Sequence, residues 1–125
     1  MQNSIPAGYS QLDHSEILRF LFHPRKEEGR QTPPPNSVDI RIPVDEGIAV
    51  GGRLHPAQKQ SPTILFFHGN GEIAADYDEL APLYTSMGVN FLPVDYRGYG
   101  RSGGLPTVTA MMRDSLAIVQ YVIKW

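Results

Sequence analysis

Hydrophobic positions in this chain come in short bursts whose spacing changes along its length. Ile17, Leu18, Phe20, Leu21 and Phe22 form the first burst, and Pro24 terminates it. The spacing predicts a short helix, with Asp13 or Ser15 as its cap. Apolar residues crowd both sides of this helix, so it is expected to pack on the body of the protein. A membrane-surface anchor is the sharper reading, and the lack of Lys on its polar side counts against it. Lys26 to Pro35 follows with charges, Gly29 and three consecutive prolines, which support neither helix nor central strand, and it reads as a linker. Residues 1–36 are therefore expected to form an amino-terminal segment, and residues 37–125 a domain.

Beyond the prolines the period changes to two. Val38, Ile40 and Ile42 alternate with Asp39 and Arg41, the pattern of a half-buried strand, and Pro43 is expected to close it. Asp45-Glu46-Gly47 makes a turn, and Ile48 to Leu54 reads as the returning strand of a hairpin, with Gly51-Gly52 marking a bulge or a close backbone approach. Ile64, Leu65, Phe66 and Phe67 are consecutive and apolar, which suits a strand covered on both faces, as in a parallel sheet. Asp76 to Met87 reads as a helix ended by Gly88, with Asp78 and Glu79 near its start, and Pro82 implies that the helix proper begins only a few residues before it. Val89 to Tyr96 is a second buried strand, in which Pro93 removes a ladder hydrogen bond. Met112, Leu116, Val119 and Ile123 follow 4, 3 and 4 spacing, so Thr109 to Trp125 is expected as a helix capped by Thr107 or Thr109; a strand over Ala117 to Ile123 is the alternative. Hairpin, strand, helix, strand, helix is an α/β order, with parallel strands joined by right-handed crossovers. Ligands in such sheets gather at the carboxyl ends of strands, where the loops His68 to Asp76 and Arg97 to Pro106 fall.

Composition narrows the classes. A length of 125 residues with 41% hydrophobic and 19% charged residues is that of one ordinary globular domain. A formal net charge of -2, with Lys and Arg spread along the chain, gives no footprint for nucleic acid. The absence of cysteine excludes disulfides and thiolate metal sites, and no metal or cofactor is expected. The apolar runs are too short to span a bilayer, and Met1-Gln2-Asn3-Ser4 lacks the regions of a signal peptide, so a cytoplasmic location is expected.

The two loops carry the candidate chemistry. Gly69 and Gly71 flank Asn70 after an abrupt strand end at His68, so the backbone there can turn sharply and aim N–H groups at an oxyanion or a phosphate. In the second loop Gly98, Gly100 and Gly103 spell a dinucleotide fingerprint. That motif should open directly into a helix, and Pro106 intervenes, which leaves a nucleotide-binding module as a remote alternative. Gly100, Ser102 and Gly104 spell Gly-x-Ser-x-Gly, the nucleophile elbow of a serine hydrolase. An elbow needs its serine where a strand turns into a helix, and Ser102 lies six residues past Tyr96 and well before Thr109, so its loop is expected to be structural.

Taken together, His68-Gly69-Asn70-Gly71 after an apolar strand, a helix, and then Asp95-Tyr96-Arg97-Gly98-Tyr99-Gly100-Arg101-Ser102-Gly103-Gly104 resemble the amino-terminal half of an α/β-hydrolase, from about Val38 to Trp125. The resemblance is to the lysophospholipase-like or serine-aminopeptidase-like branch. It implies a serine hydrolase of esters, thioesters or amides, with the backbone N–H of Asn70 and that of Gly71 as the oxyanion hole. By the same resemblance His68, Gly69, Asp95, Arg97, Gly98, Gly100 and Ser102 shape the two loops. The family's triad runs Ser, then Asp or Glu, then His, with the serine after the next strand. Trp125 precedes that strand, so nucleophile, acid and base are expected to be missing, and this chain inactive by itself; a small-molecule ester or amide would be its substrate only if a missing half completed it. A non-catalytic binding or interaction protein derived from the same fold is the alternative. In the family's strand order Thr63 to Phe67 would then be an exposed edge, and self-association or partner binding through it is expected.

Overall fold

The computed structural model describes residues 8–28 and 32–125, which leaves Met1 to Ser4, read above for a targeting signal, and Gly29 of the linker outside the described residues. Strands β1 (Val38–Asp45) and β2 (Ile48–Leu54) pair antiparallel about a turn in which Gly47 takes a φ of 68°, a conformation that favours glycine. β1 runs on past Pro43, which was expected to close it. The strand is an edge of the sheet, where a missing N–H is tolerated, and Pro43 pairs with Ala49. The hairpin's irregularity falls between Pro43 and Asp45, while Gly51 and Gly52 stay in register with Arg41 and Ile40. Close packing, the second expectation for these glycines, is what they serve: a Cβ on Gly52 would lie 3.1 Å from Val94 Cγ1.

Strands β3 (Thr63–Phe67) and β4 (Asn90–Val94) pair in parallel along their whole length, and the four-stranded mixed sheet has the order β1-β2-β4-β3. β4 is central and buried apart from its first residue. Pro93 costs it a bond, as expected: Phe91 N–H donates to His55 O at 2.9 Å and Asp95 N–H to Gly51 O at 2.8 Å, and Pro93, midway between, has no N–H to give. Leu92 and Val94 join Ile42, Val50 and Ile118 in the core on one face. Phe91 stacks on Tyr84 with ring centroids 4.4 Å apart, and Phe66 lies 5.6 Å from it. β3 is less covered than its apolar run implies. Thr63 and Ile64 are exposed and the other three residues half-buried, because β3 ends the sheet and no described strand flanks its outer side.

Among the described residues three α-helices complete the fold: α1 (Ser15–Leu21), α2 (Ala81–Thr85) and α3 (Val108–Ile123). The helix expected over Asp76 to Met87 is divided into a 3₁₀ turn, Ala74–Tyr77, and the short α2, which starts at Ala81 with Pro82 in its first turn, where a missing N–H costs no helical bond. Gly88, with φ of 79°, ends it as expected. Asp13 does not cap α1. Its Oδ1 accepts the N–H groups of Val108 at 2.8 Å and Thr109 at 3.2 Å, so it caps α3 together with Thr107, whose Oγ1 accepts from Ala110 N–H at 3.0 Å. The strand alternative for this stretch is thereby excluded. The face that α3 turns inward also differs from expectation: Val108, Asp114 and Ile118 are buried, whereas Leu116 and Val119 are exposed and Ile123 is 75% exposed. The helix carries two apolar stripes, and a pairing between Asp114 and Arg97 fixes which of them meets the sheet.

A charged cluster ties the periphery to β2. Arg53, only 3% exposed, bonds Asp39 at 2.7 Å, Asp78 at 2.6 Å and Glu27 at 3.1 Å. Burial opposes its charge, but the hydrogen bond it donates to Asp39 and the neighbouring carboxylates outweigh it and raise the guanidinium's pKa. Asp78 is thus bonded to Arg53 and does not serve the α2 dipole.

Candidate functional site

Both loops leave the carboxyl ends of the parallel pair. His68 ends the first strand run and is buried; its Nε2 lies 2.8 Å from Asp95 Oδ1 and its Nδ1 2.9 Å from Gly69 O. Both partners are acceptors, so the ring that satisfies them carries a proton on each nitrogen. Burial pulls the His68 pKa down, while the Asp95 and Gly69 bonds push it up, and the balance is a raised value. Asp95 Oδ1 also accepts the Ala74 N–H at 2.9 Å, so this carboxylate joins the end of β4 to both sides of the first loop.

The turn itself is held from within. Gly69 N–H donates to Glu72 Oε1 at 2.7 Å, and a Cβ on Gly69 would fall 2.4 Å from that oxygen. Glu72 is oriented in turn by Tyr77 O–H at 2.9 Å. Asn70 uses its whole side chain: Nδ2 donates to Leu21 O at 2.9 Å, and Oδ1 accepts from His23 N–H at 3.0 Å and Tyr99 O–H at 2.9 Å. Gly71, with φ of 78°, turns the chain back toward Ile73. Among the described residues neither the Asn70 N–H nor the Gly71 N–H donates a hydrogen bond. Beside Asn70 lies a cavity of about 120 Å³ that this residue lines together with Leu21, Phe22, His68, Tyr96, Tyr99 and Met111.

In the second loop the fingerprint glycines and Ser102 are engaged. Gly98 N–H donates to Gly103 O, Gly100 N–H to Arg25 O and Gly103 N–H to Ala49 O, so none of the three fingerprint glycines has an N–H left for a phosphate. Gly100, with φ of 53°, packs so tightly on the Asp95 carboxylate that a Cβ would lie 2.1 Å from Oδ2. Ser102 is buried; its Oγ accepts from Gly51 N–H at 2.9 Å and donates to Asp95 O at 3.0 Å. Arg97 forks onto Asp114 at 2.7 and 2.8 Å and reaches Asp45 at 3.2 Å. No serine hydroxyl is bonded to a histidine among the described residues.

Sequence reasoning missed four contributors. Tyr99 is 1% exposed, and burial raises its phenol pKa, so it remains a neutral donor to Asn70. Asp114 could have been found as an acidic residue four positions before Ile118 on the buried stripe of α3. Lys26 and Glu27, read as the start of a linker, are bonded to this loop, Lys26 Nζ to Ser102 O at 2.8 Å and Glu27 N–H to Gly100 O at 3.3 Å. No sequence signal marked that segment.

This sheet order, with a glycine-bracketed loop after one parallel strand and a buried aspartate ending the next, defines an α/β-hydrolase in part. The chain belongs to the serine aminopeptidase, S33 family, whose model matches residues 58–124. Protein bem46 of Schizosaccharomyces pombe is 31% identical over 64 residues, which are 50% of this chain and 21% of that one. Lysophosphatidylserine lipase ABHD12 of Danio rerio is 36% identical over 67 residues, 52% of this chain and 18% of that one. The chain thus aligns with about a fifth of the length of these relatives. An α/β-hydrolase from Vibrio vulnificus superposes with a TM-score of 0.61 at 27% identity, covering 71% of this chain and 30% of the other. The Pyrococcus furiosus esterase Pf2001 shares the fold with a TM-score of 0.62 at 23% identity, over 81% of this chain and 42% of its own.

Proposed function

We propose that His68 to Ile73 is the oxyanion-hole loop of a serine hydrolase of esters, thioesters or amides, with the backbone N–H groups of Asn70 and Gly71 as its donors. The observation that carries this reading is a pair of adjacent N–H groups without described acceptors, beside a cavity of about 120 Å³, on a turn whose other polar groups are bonded. Donors fixed before charge develops lower the barrier by about 3 kcal/mol each. In this reading the nucleophile, acid and base are supplied by sequence beyond these residues, and the protein works in the cytoplasm without a cofactor. Ser102 is not the nucleophile, since its hydroxyl is engaged at both ends, and His68 is not the base, since both ring nitrogens are engaged. Intact-mass spectrometry after exposure to a fluorophosphonate tests the assignment: these 125 residues should take no adduct. A stoichiometric adduct on Ser102 would overturn it. A polypeptide carrying them through the rest of the fold should turn over p-nitrophenyl butyrate and be inactivated by the same reagent; no turnover by that polypeptide removes the hydrolase reading.

A second reading, a non-catalytic interaction protein, is favoured by one observation. Ile64 at the outer edge of β3 and Leu116, Val119 and Ile123 on α3 are exposed. An apolar strand end of this kind pairs readily with another chain, and a second copy of this one is the occupant we propose. Light scattering should then show dimers or larger species as concentration rises; a monodisperse monomer at millimolar concentration rejects it.

A further inference from the structure

The segment following α1 fastens the two loops together, and its contacts converge on one hydroxyl. Tyr99 O–H donates to Asn70 Oδ1 at 2.9 Å and accepts from His23 N–H at 2.8 Å, while His23 N–H also reaches Asn70 Oδ1. Asn70 Nδ2 closes the group on Leu21 O. Two residues further on, Arg25 Nε donates to Gly71 O at 3.2 Å, Arg25 pairs with Asp76, and the Arg25 carbonyl accepts from Gly100 N–H at 2.8 Å. The strap therefore grips Asn70 and Gly71 from one side and the Tyr99 hydroxyl and Gly100 N–H from the other.

We propose that Tyr99 is a positioning residue for the Asn70–Gly71 backbone, acting through the Asn70 side chain and the strap Leu21–Arg25, so that both N–H groups are held in one direction before any ligand arrives. The inference rests on the oxyanion-loop reading above. Its physical basis is that the turn is bonded at Gly69 and Glu72 but not at the successive N–H groups of Asn70 and Gly71, the latter at φ of 78°, whereas three bonds to the Asn70 amide leave that side chain a single orientation. The ring of Tyr99 is buried against His68 and Tyr96, with centroids 5.7 and 5.5 Å away, so Tyr99→Phe removes the hydroxyl and leaves the packing.

The test is ¹⁵N relaxation on the 125-residue chain, wild type against Tyr99→Phe. Order parameters at Asn70 and Gly71 should fall from about 0.85 to below about 0.6, and exchange of the His23 amide should quicken at least about tenfold, while the Leu92 and Val94 amides and the Gly47 turn are unchanged. Arg25→Gln should give a smaller fall, confined to Gly71. Unchanged order parameters at Asn70 and Gly71 overturn the proposal, as does a loosening shared equally by the Gly47 turn, which would make Tyr99 a general stabiliser. No substrate enters this measurement, so it can fail while ester turnover succeeds, and the reverse.

Discussion

The loop after β3 and the loop after β4 leave neighbouring parallel strands and share Asp95 as a bonding partner, yet the motif residues of the two treat their backbone donors differently. The second turns Gly98, Gly100 and Gly103 N–H inward to protein carbonyls and buries Ser102. The first fixes its turn with the side chains of Glu72 and Asn70 and leaves two N–H groups for something else. A glycine-rich loop is a binding loop only when its donors remain unengaged, and motif spelling does not report that. The serine that matches Gly-x-Ser-x-Gly has its hydroxyl bonded as donor and as acceptor.

Glycine replacement gives the widest separation between the two. Gly100→Ala places a Cβ against the Asp95 carboxylate at positive φ and should cost about 4 kcal/mol. Gly71→Ala, also at positive φ but with nothing within 4 Å of its Cβ, should cost about 1 kcal/mol. Urea unfolding of the two variants checks this, and equal losses would break the contrast. Arg97→Ala leaves Asp114 buried without its forked partner and should lose about 3 kcal/mol by the same measurement. A loss within error would mean that the α3 rotation is set by the apolar stripe alone.

Ser102→Ala sharpens the point about the second loop. It strips the acceptor from Gly51 N–H inside the sheet and should destabilise by about 2 kcal/mol. Esterase turnover by a polypeptide completing the fold should stay at the wild-type rate; abolished turnover with intact folding would return Ser102 to the chemistry. The smallest expected effect is a pH dependence. The raised pKa of His68 means that its contribution to stability is fully present below the unfolded value near 6.5 and fades as pH rises through the folded value. The stability difference between wild type and His68→Gln should therefore hold steady at acidic pH and shrink as pH rises above about 6.5. Subtracting the variant removes the opposite contribution of His55, whose pKa is lowered first by burial and then by Arg53. A difference that grows with pH contradicts the doubly protonated ring.

Local pattern was enough for the elements whose signals are local. The β1–β2 hairpin follows from alternation and Gly47, the parallel pair from two apolar runs, and the α3 cap from Thr107. Asp13 could not be read this way, because the N–H groups it caps belong to residues on a different helix far along the chain. The inward face of α3 was equally closed to periodicity, since both of its apolar stripes repeat at helical spacing and only the Arg97 pairing distinguishes them.

By itself the sequence determined the element order, the family and the loop that carries Asn70 and Gly71, because turns, strand runs and glycine spacing act within a few residues of where they are written. Tertiary structure alone decided which donors remain unengaged, which way α3 faces, and that residues Leu21 to Glu27 bind both loops. Each of those outcomes is a choice of partner across a long sequence separation. Such a choice is set by the geometry of the closed sheet, in which a backbone amide takes whatever acceptor the fold brings within reach.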